Sequence, residues 1–215
     1  MNIYCKPFVI YDPISPVDNI AACWAIECSV LNGFDFCPFT NKQEIQNVSN
    51  RTIYILGLIY PTDILREVIV DLSKRNERVV IIANNPASES VLFSLPINVE
   101  LCCTNNRHLA IDAWMKFNEN VAIPKILRVI EDRNFLKIIK EENEDIYTGL
   151  VNHDGIEVNK HPKESFDFLD ALNNGIIGKN MIDELRKEGH IINRYINKQK
   201  KLEDIYDRSL KVDMR

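Results

Sequence analysis

Four short apolar runs rich in β-branched residues, Phe8 to Tyr11, Thr52 to Ile59, Val79 to Ala83 and Val99 to Thr104, alternate with stretches of helical period. Runs that are apolar throughout suit strands covered on both faces, and the helical stretches between them supply the crossovers that parallel strands require. The rhythm predicts an α/β core with a mainly parallel sheet and flanking helices.

The first helix is expected from about Pro16 to Leu31, where Val17, Ile20, Ala21, Trp24, Cys28 and Leu31 recur every three or four residues and define one buried face. Ser15 is placed to cap it, Pro16 to occupy its first position and Asp18 to complete a capping box, while Gly33 marks its stop. A second helix begins at Pro61 and runs through Ile64, Leu65, Val68, Ile69 and Leu72 to the polar turn of residues 73 to 77. A third holds Leu109, Ala113, Trp114 and Phe117, and a fourth starts at Pro124 with Ile126, Leu127 and Ile130.

The composition changes after about Leu136. The charged stretch of residues 140 to 145 reads as a solvated helix or loop. Beyond it lie a short helix carrying Phe166, Leu169 and Leu172, closed by Gly175, and a longer amphipathic segment from Met181 through Ile192, Tyr195 and Ile196 to Ile205. The division expected is an α/β domain over residues 1–140 and a helical C-terminal lobe over 141–215.

With 215 residues, 46% hydrophobic and 27% charged, the chain can bury one substantial core. A formal net charge of -5 argues against general duplex DNA binding, which needs a basic surface. No apolar run reaches the roughly 20 residues that span a bilayer, and no signal-like segment opens the chain, so a cytoplasmic, reducing location without membrane contact is expected. The six cysteines form no C-x-x-C pair, and Cys102-Cys103 reads as two small hydrophobes in a strand. Asn152-His153-Asp154-Gly155 reads as a turn, and no nucleophile elbow, Walker loop or H-E-x-x-H occurs.

Taken in order, these segments resemble the DHH phosphoesterase superfamily, in particular its short oligoribonuclease-like and cyclic-nucleotide-phosphodiesterase-like branch found in bacteria and viruses. The Pro-Asp-Gly entry to the first helix of that family corresponds here to Val17-Asp18-Asn19, and the upstream histidine has no counterpart in residues 11 to 15. Gly57 stands where the family's second strand delivers an aspartate, ahead of the retained Tyr60-Pro61 pair. Ala83, Asn84 and Asn85 stand at Asp-His-His, and the helix from Pro124 keeps Asp132. A DHHA1 domain is not recognisable.

The resemblance implies a two-metal hydrolase whose metal positions are largely lost, since alanine and glycine offer no ligand and a neutral amide is a poorer one than carboxylate or imidazole. What remains is Asp18, Asp132 and Asp12, the last in a turn before a proline. The expectation is therefore a pseudoenzyme with no cofactor. Its crevice would bind a nucleotide or short RNA through Asp12, Asp18, Asn84, Asn85 and Asp132, the two asparagines otherwise serving only to cap their turn.

Two alternatives stand beside it. One is an assembly subunit contacting a protein partner or a second copy through the C-terminal helices. Arg194, Lys198, Lys200, Lys201 and Arg208 form a basic stretch there, ordinarily a solvated helix face, beside the apolar Ile191, Ile192, Tyr195, Ile196, Leu202 and Ile205. The other is an active phosphodiesterase with remodelled ligands, which would need Mn2+ or Mg2+.

Overall fold

The structure is a computed structural model that describes residues 6–13, 16–29, 33–57, 62–83, 96–103, 109–134, 141–153 and 162–213. Five parallel strands, β1 (Phe8–Tyr11), β2 (Asp35–Pro38), β3 (Thr52–Leu56), β4 (Arg78–Ala83) and β5 (Val99–Cys103), lie in the order β2-β1-β3-β4-β5. The α/β architecture with a mainly parallel sheet, flanking helices and a helical C-terminal lobe is the one the apolar runs predict.

Alternate residues of each strand feed two cores, as a period of two dictates. Val9, Tyr11, Phe36, Leu56, Val80 and Ile82 face α1 (Pro16–Glu27) and the later helices. Phe8, Ile10, Ile53, Ile55, Val79 and Ile81 face Ile45 of α2 (Lys42–Asn47) and Leu65, Ile69 and Leu72 of α3 (Thr62–Arg75).

Strand β2 and helix α2 have no counterpart among the expected elements. Asp35-Phe36-Cys37-Pro38 is only four residues long and is bounded by two residue types depleted in strands, so it carries no readable period. Its place at the sheet edge is what tolerates Pro38. Helix α2 buries Ile45 alone and is fixed at its ends instead. At its start Asn41 and Glu44 form a reciprocal cap: Glu44 N donates to Asn41 Oδ1 at 3.3 Å, and Asn41 Nδ2 donates to Glu44 Oε2 at 2.9 Å. At its end the Arg75 guanidinium donates to the carbonyls of Gln46 and Val48.

Helix α1 departs from its expected bounds and burial. It ends at Glu27, followed by a turn in which Ser29 N donates to Ile26 O at 3.0 Å, and residues 30 to 32 lie outside the described residues. Ser15 lies outside them too. Rather than one face, every residue from 20 to 26 is buried. The sheet covers one side of α1, while α4 (Leu109–Phe117) and the C-terminal lobe cover the rest. Trp24 stacks on Trp114 with ring centroids 5.8 Å apart, and its Nε1 donates to Asp170 Oδ1 at 2.8 Å, so the buried N–H keeps a partner.

After α5 (Lys125–Asn134), the lobe consists of α6 (Glu141–Val151), a 3-10 turn (Pro162–Ser165), α7 (Phe166–Asn173) and α8 (Gly175–Asp213). Ile146, Leu150, Phe166, Leu169, Leu172, Ile182 and Leu185 join the same core as one face of the sheet. Helices α6 and α8 run antiparallel in direct backbone contact: a Cβ on Gly189 would overlap the carbonyl oxygen of Asp145, and one on Gly149 would overlap that of Leu185. At 39 residues α8 is about 58 Å long, and every residue from 194 to 203 is exposed. No helix among the described residues is long and apolar enough to cross a membrane.

Candidate functional site

Every strand of a parallel sheet points its carboxyl end to the same edge, so the turns after β1, β3 and β4 gather there. Tyr11 pairs with Leu56 and Leu56 with Ile82, which puts Asp12, Gly57 and Ala83 side by side as the next residues in register. Helices α1 and α3 leave from β1 and β3 toward opposite faces of the sheet, and the junction between such strands is where an open α/β sheet forms its crevice. Three positions singled out in the sequence are thus brought to one line.

Asp12 is buried at 3% exposure, Asp18 is half-buried in the first turn of α1, and the neighbouring Asn19 is buried at 2%. Asn84 and Asn85 lie outside the described residues. Asp132 lies in the last turn of α5, and its side chain is outside them as well.

Gly57 is the most informative member. Its N–H donates to Ile82 O at 3.0 Å, tying the end of β3 to β4, and its φ of 61° lies in the left-handed region. A Cβ there would stand 2.6 Å from Leu109 Cδ2 and 2.7 Å from Asn19 Oδ1. A side chain there would have to adopt a left-handed backbone conformation and displace the ends of the Leu109 and Asn19 side chains. Among the described residues no three His, Cys, Asp or Glu side chains stand together as a metal site. With glycine offering no ligand at this position and no such cluster beside it, the described part of the crevice does not fit a binuclear metal centre, and no chemistry is routed through one.

The Tyr11, Cys23 and Cys37 side chains near this edge are held in their neutral forms. Burial, reinforced by Cys23, Cys37 and Glu44, pushes the Tyr11 phenol up to about 12. Burial also pushes the Cys37 thiol up to about 12 and the Cys23 thiol well above its ordinary value. Neither thiol is a nucleophile near neutrality, and both pack as small buried hydrophobes. On β5, Glu100 accepts from Lys116 at 2.7 Å and pairs with Arg78, and these bonds hold its carboxyl down at about 2.

A second polar cluster was not legible in the sequence. Asp145, inside the stretch expected to be solvated, is buried at 7%. The close approach of α6 and α8 seals it, and its carboxylate accepts from Asn193 Nδ2 at 2.8 Å and lies 3.0 Å from His190 Nδ1. Thr148 Oγ1 donates to Asn193 Oδ1 at 3.1 Å. The one signal available was the spacing: Asp145 and Thr148 sit on one face of α6, His190 and Asn193 on one face of α8, each pair beside a glycine. His153 stacks on Phe168 at 4.4 Å, whereas Asp154 and Gly155 lie outside the described residues. Comparison with family models, with curated proteins and with solved structures gives no match to this chain.

Proposed function

We propose that this chain is a catalytically degenerate relative of the DHH phosphoesterases that acts by binding a nucleotide or short RNA rather than by hydrolysing it. The observation that carries the reading is Gly57, enclosed by Asn19 and Leu109 at the position where the resemblance calls for a metal-binding aspartate. The crevice beyond β1 and β3 keeps polar groups in Asp12, Asp18 and Asn19, and Asn84 and Asn85 follow directly on β4. The asparagine amides suit donation to a phosphate or base, and the carboxylates suit accepting from a base N–H or a sugar hydroxyl. A cytoplasmic setting accords with the free thiols of Cys23, Cys28, Cys37 and Cys102 among the described residues.

A manganese-supplemented assay on short RNA, a cyclic dinucleotide and a generic phosphodiester is expected to show no turnover, while a thermal-shift screen finds a nucleotide that stabilises the fold. Turnover abolished by Asp18→Ala or Asp132→Ala would instead establish the active phosphodiesterase. The assembly-subunit reading draws on Ile191, Tyr195 and Leu202, exposed at 68%, 63% and 53% along α8. A light-scattering mass that halves on Tyr195→Glu would favour it.

A further inference from the structure

Where α8 runs past the first turn of α6, a cavity of about 570 Å³ opens between the two helices. Its described lining is confined to Glu144 and Asp145 of α6 and to residues from His190 to Lys201 of α8. Four of those are cations: Arg194, Lys198, Lys200 and Lys201. In a chain of formal net charge -5, such a concentration on one cavity is against the general trend of the surface.

Among the described residues the cations are also uncommitted. The nearby ion pairs among the described residues are Asp145 with His190 and Asp183 with Arg186, and neither involves residues 194 to 201. The buried carboxylate that lines the cavity is already engaged by His190 and Asn193, which leaves Glu144 as the one exposed counter-charge in its described lining. The Asp145 carboxylate also fixes His190 through Nδ1, so Nε2 is the ring's remaining hydrogen-bonding atom.

We propose that this cavity binds a ligand carrying a chain of two or more phosphate groups, the polyphosphate of a nucleotide or the backbone of a short oligonucleotide. Arg194 and Lys201 are separated by about 10 Å along the helix, more than one phosphate spans. Arg194 supplies the forked donor that matches two phosphate oxygens, and the lysines supply point charges. A polar cavity of this size accommodates a nucleotide-sized ligand. The site is remote in sequence from the sheet-edge crevice and does not depend on the reading given for it.

The test uses the full chain with two probes, a fluorescein-labelled oligouridylate ten nucleotides long and inorganic tripolyphosphate. Anisotropy at about 50 mM salt is expected to show binding of the oligonucleotide that tripolyphosphate competes away. The triple variant Arg194→Glu, Lys198→Glu, Lys201→Glu changes only exposed residues, so its melting temperature should match the parent. It should bind at least roughly tenfold more weakly, and its log-affinity against log-salt slope should be shallower by about 2, or about 0.7 for each cation removed. The variant carrying Lys198→Arg and Lys201→Arg should bind as the parent does. Oligonucleotide displaced by tripolyphosphate but not by uridine would identify phosphate as the recognised group, and a triphosphate that competes as well as the decamer would identify a nucleotide ligand. Unchanged affinity in the charge-reversed protein, absence of binding to both probes, or equal competition by an acidic peptide would overturn the proposal. Loss of binding on Asn84→Ala with no effect of the α8 variant would place the ligand in the crevice alone.

Discussion

Replacing Gly189 by alanine sets two effects against each other. Within a helix the change should be favourable, since alanine is preferred over glycine by about 1 kcal/mol. Here the added methyl would overlap the carbonyl oxygen of Asp145 and lie 2.7 Å from both that carbonyl carbon and Gly149 N. The methyl would stand closest to the Asp145 carbonyl oxygen, far inside contact distance, so α6 and α8 must part by more than about 1 Å. Parting them loosens Ile146, Leu150, Ile182 and Leu185, which the crossing holds in the core, and strains the Asp145 bonds to His190 and Asn193. Overpacking of this kind costs about 3 kcal/mol, so the net destabilisation should be about 2 kcal/mol. Urea unfolding of the full chain would measure it, with the exposed Glu188→Ala as a control expected to stay within about 0.5 kcal/mol. Gly149→Ala should cost a similar amount, and the double variant less than the sum, because helices already separated accept the second methyl more easily. A neutral or stabilised Gly189→Ala protein would mean that the helix backbones do not touch.

Gly57→Asp is expected to destabilise by about 2 kcal/mol, from the left-handed φ and the crowding by Leu109 and Asn19, and calorimetry should show no tight manganese binding as a result. For Glu100 the folded carboxyl is held at about 2 against an ordinary value of 4.5. Its contribution is therefore fully present above about pH 4.5 and is lost as pH falls toward 2. Glu100→Gln should flatten the stability profile in that window and change little at neutrality, the group being partly exposed and its pairs screened.

The sheet was readable wherever strands were covered on both faces, because burial of that kind writes itself as unbroken apolar runs: β1, β3, β4 and β5 all match such runs. Strand β2 was not, since an edge strand of four residues can include Asp35 and Pro38 without losing ladder bonds that matter. The order of the segments was enough to align Asp12, Gly57 and Ala83, because register in a parallel sheet carries their neighbours with them. What sequence order could not convey was how Asn19 and Leu109 close over Gly57. It also missed Asp145, whose charged neighbours mark a solvated helix while its own environment is set by residues 45 and 48 positions away. Helix burial was underestimated for α1 for a related reason: periodicity reports one contacting surface, and α1 has several.

Helix α8 begins between packed neighbours and continues into solvent, and this division separates two costs of making a helix. Nucleation, the fixing of a first turn for a single bond, is unfavourable by about a thousandfold for an isolated peptide and leaves helices shorter than about 15 residues marginal in water. In this chain the buried turns around Ile182 and Leu185 act as a permanent nucleus, so residues from 194 onward face only residue-by-residue propagation. The far end is thus a zipper attached at one side, whose closed length follows temperature and the mutual repulsion of Lys198, Lys200 and Lys201. An anion that neutralises those lysines would lengthen it without forming any contact at its tip.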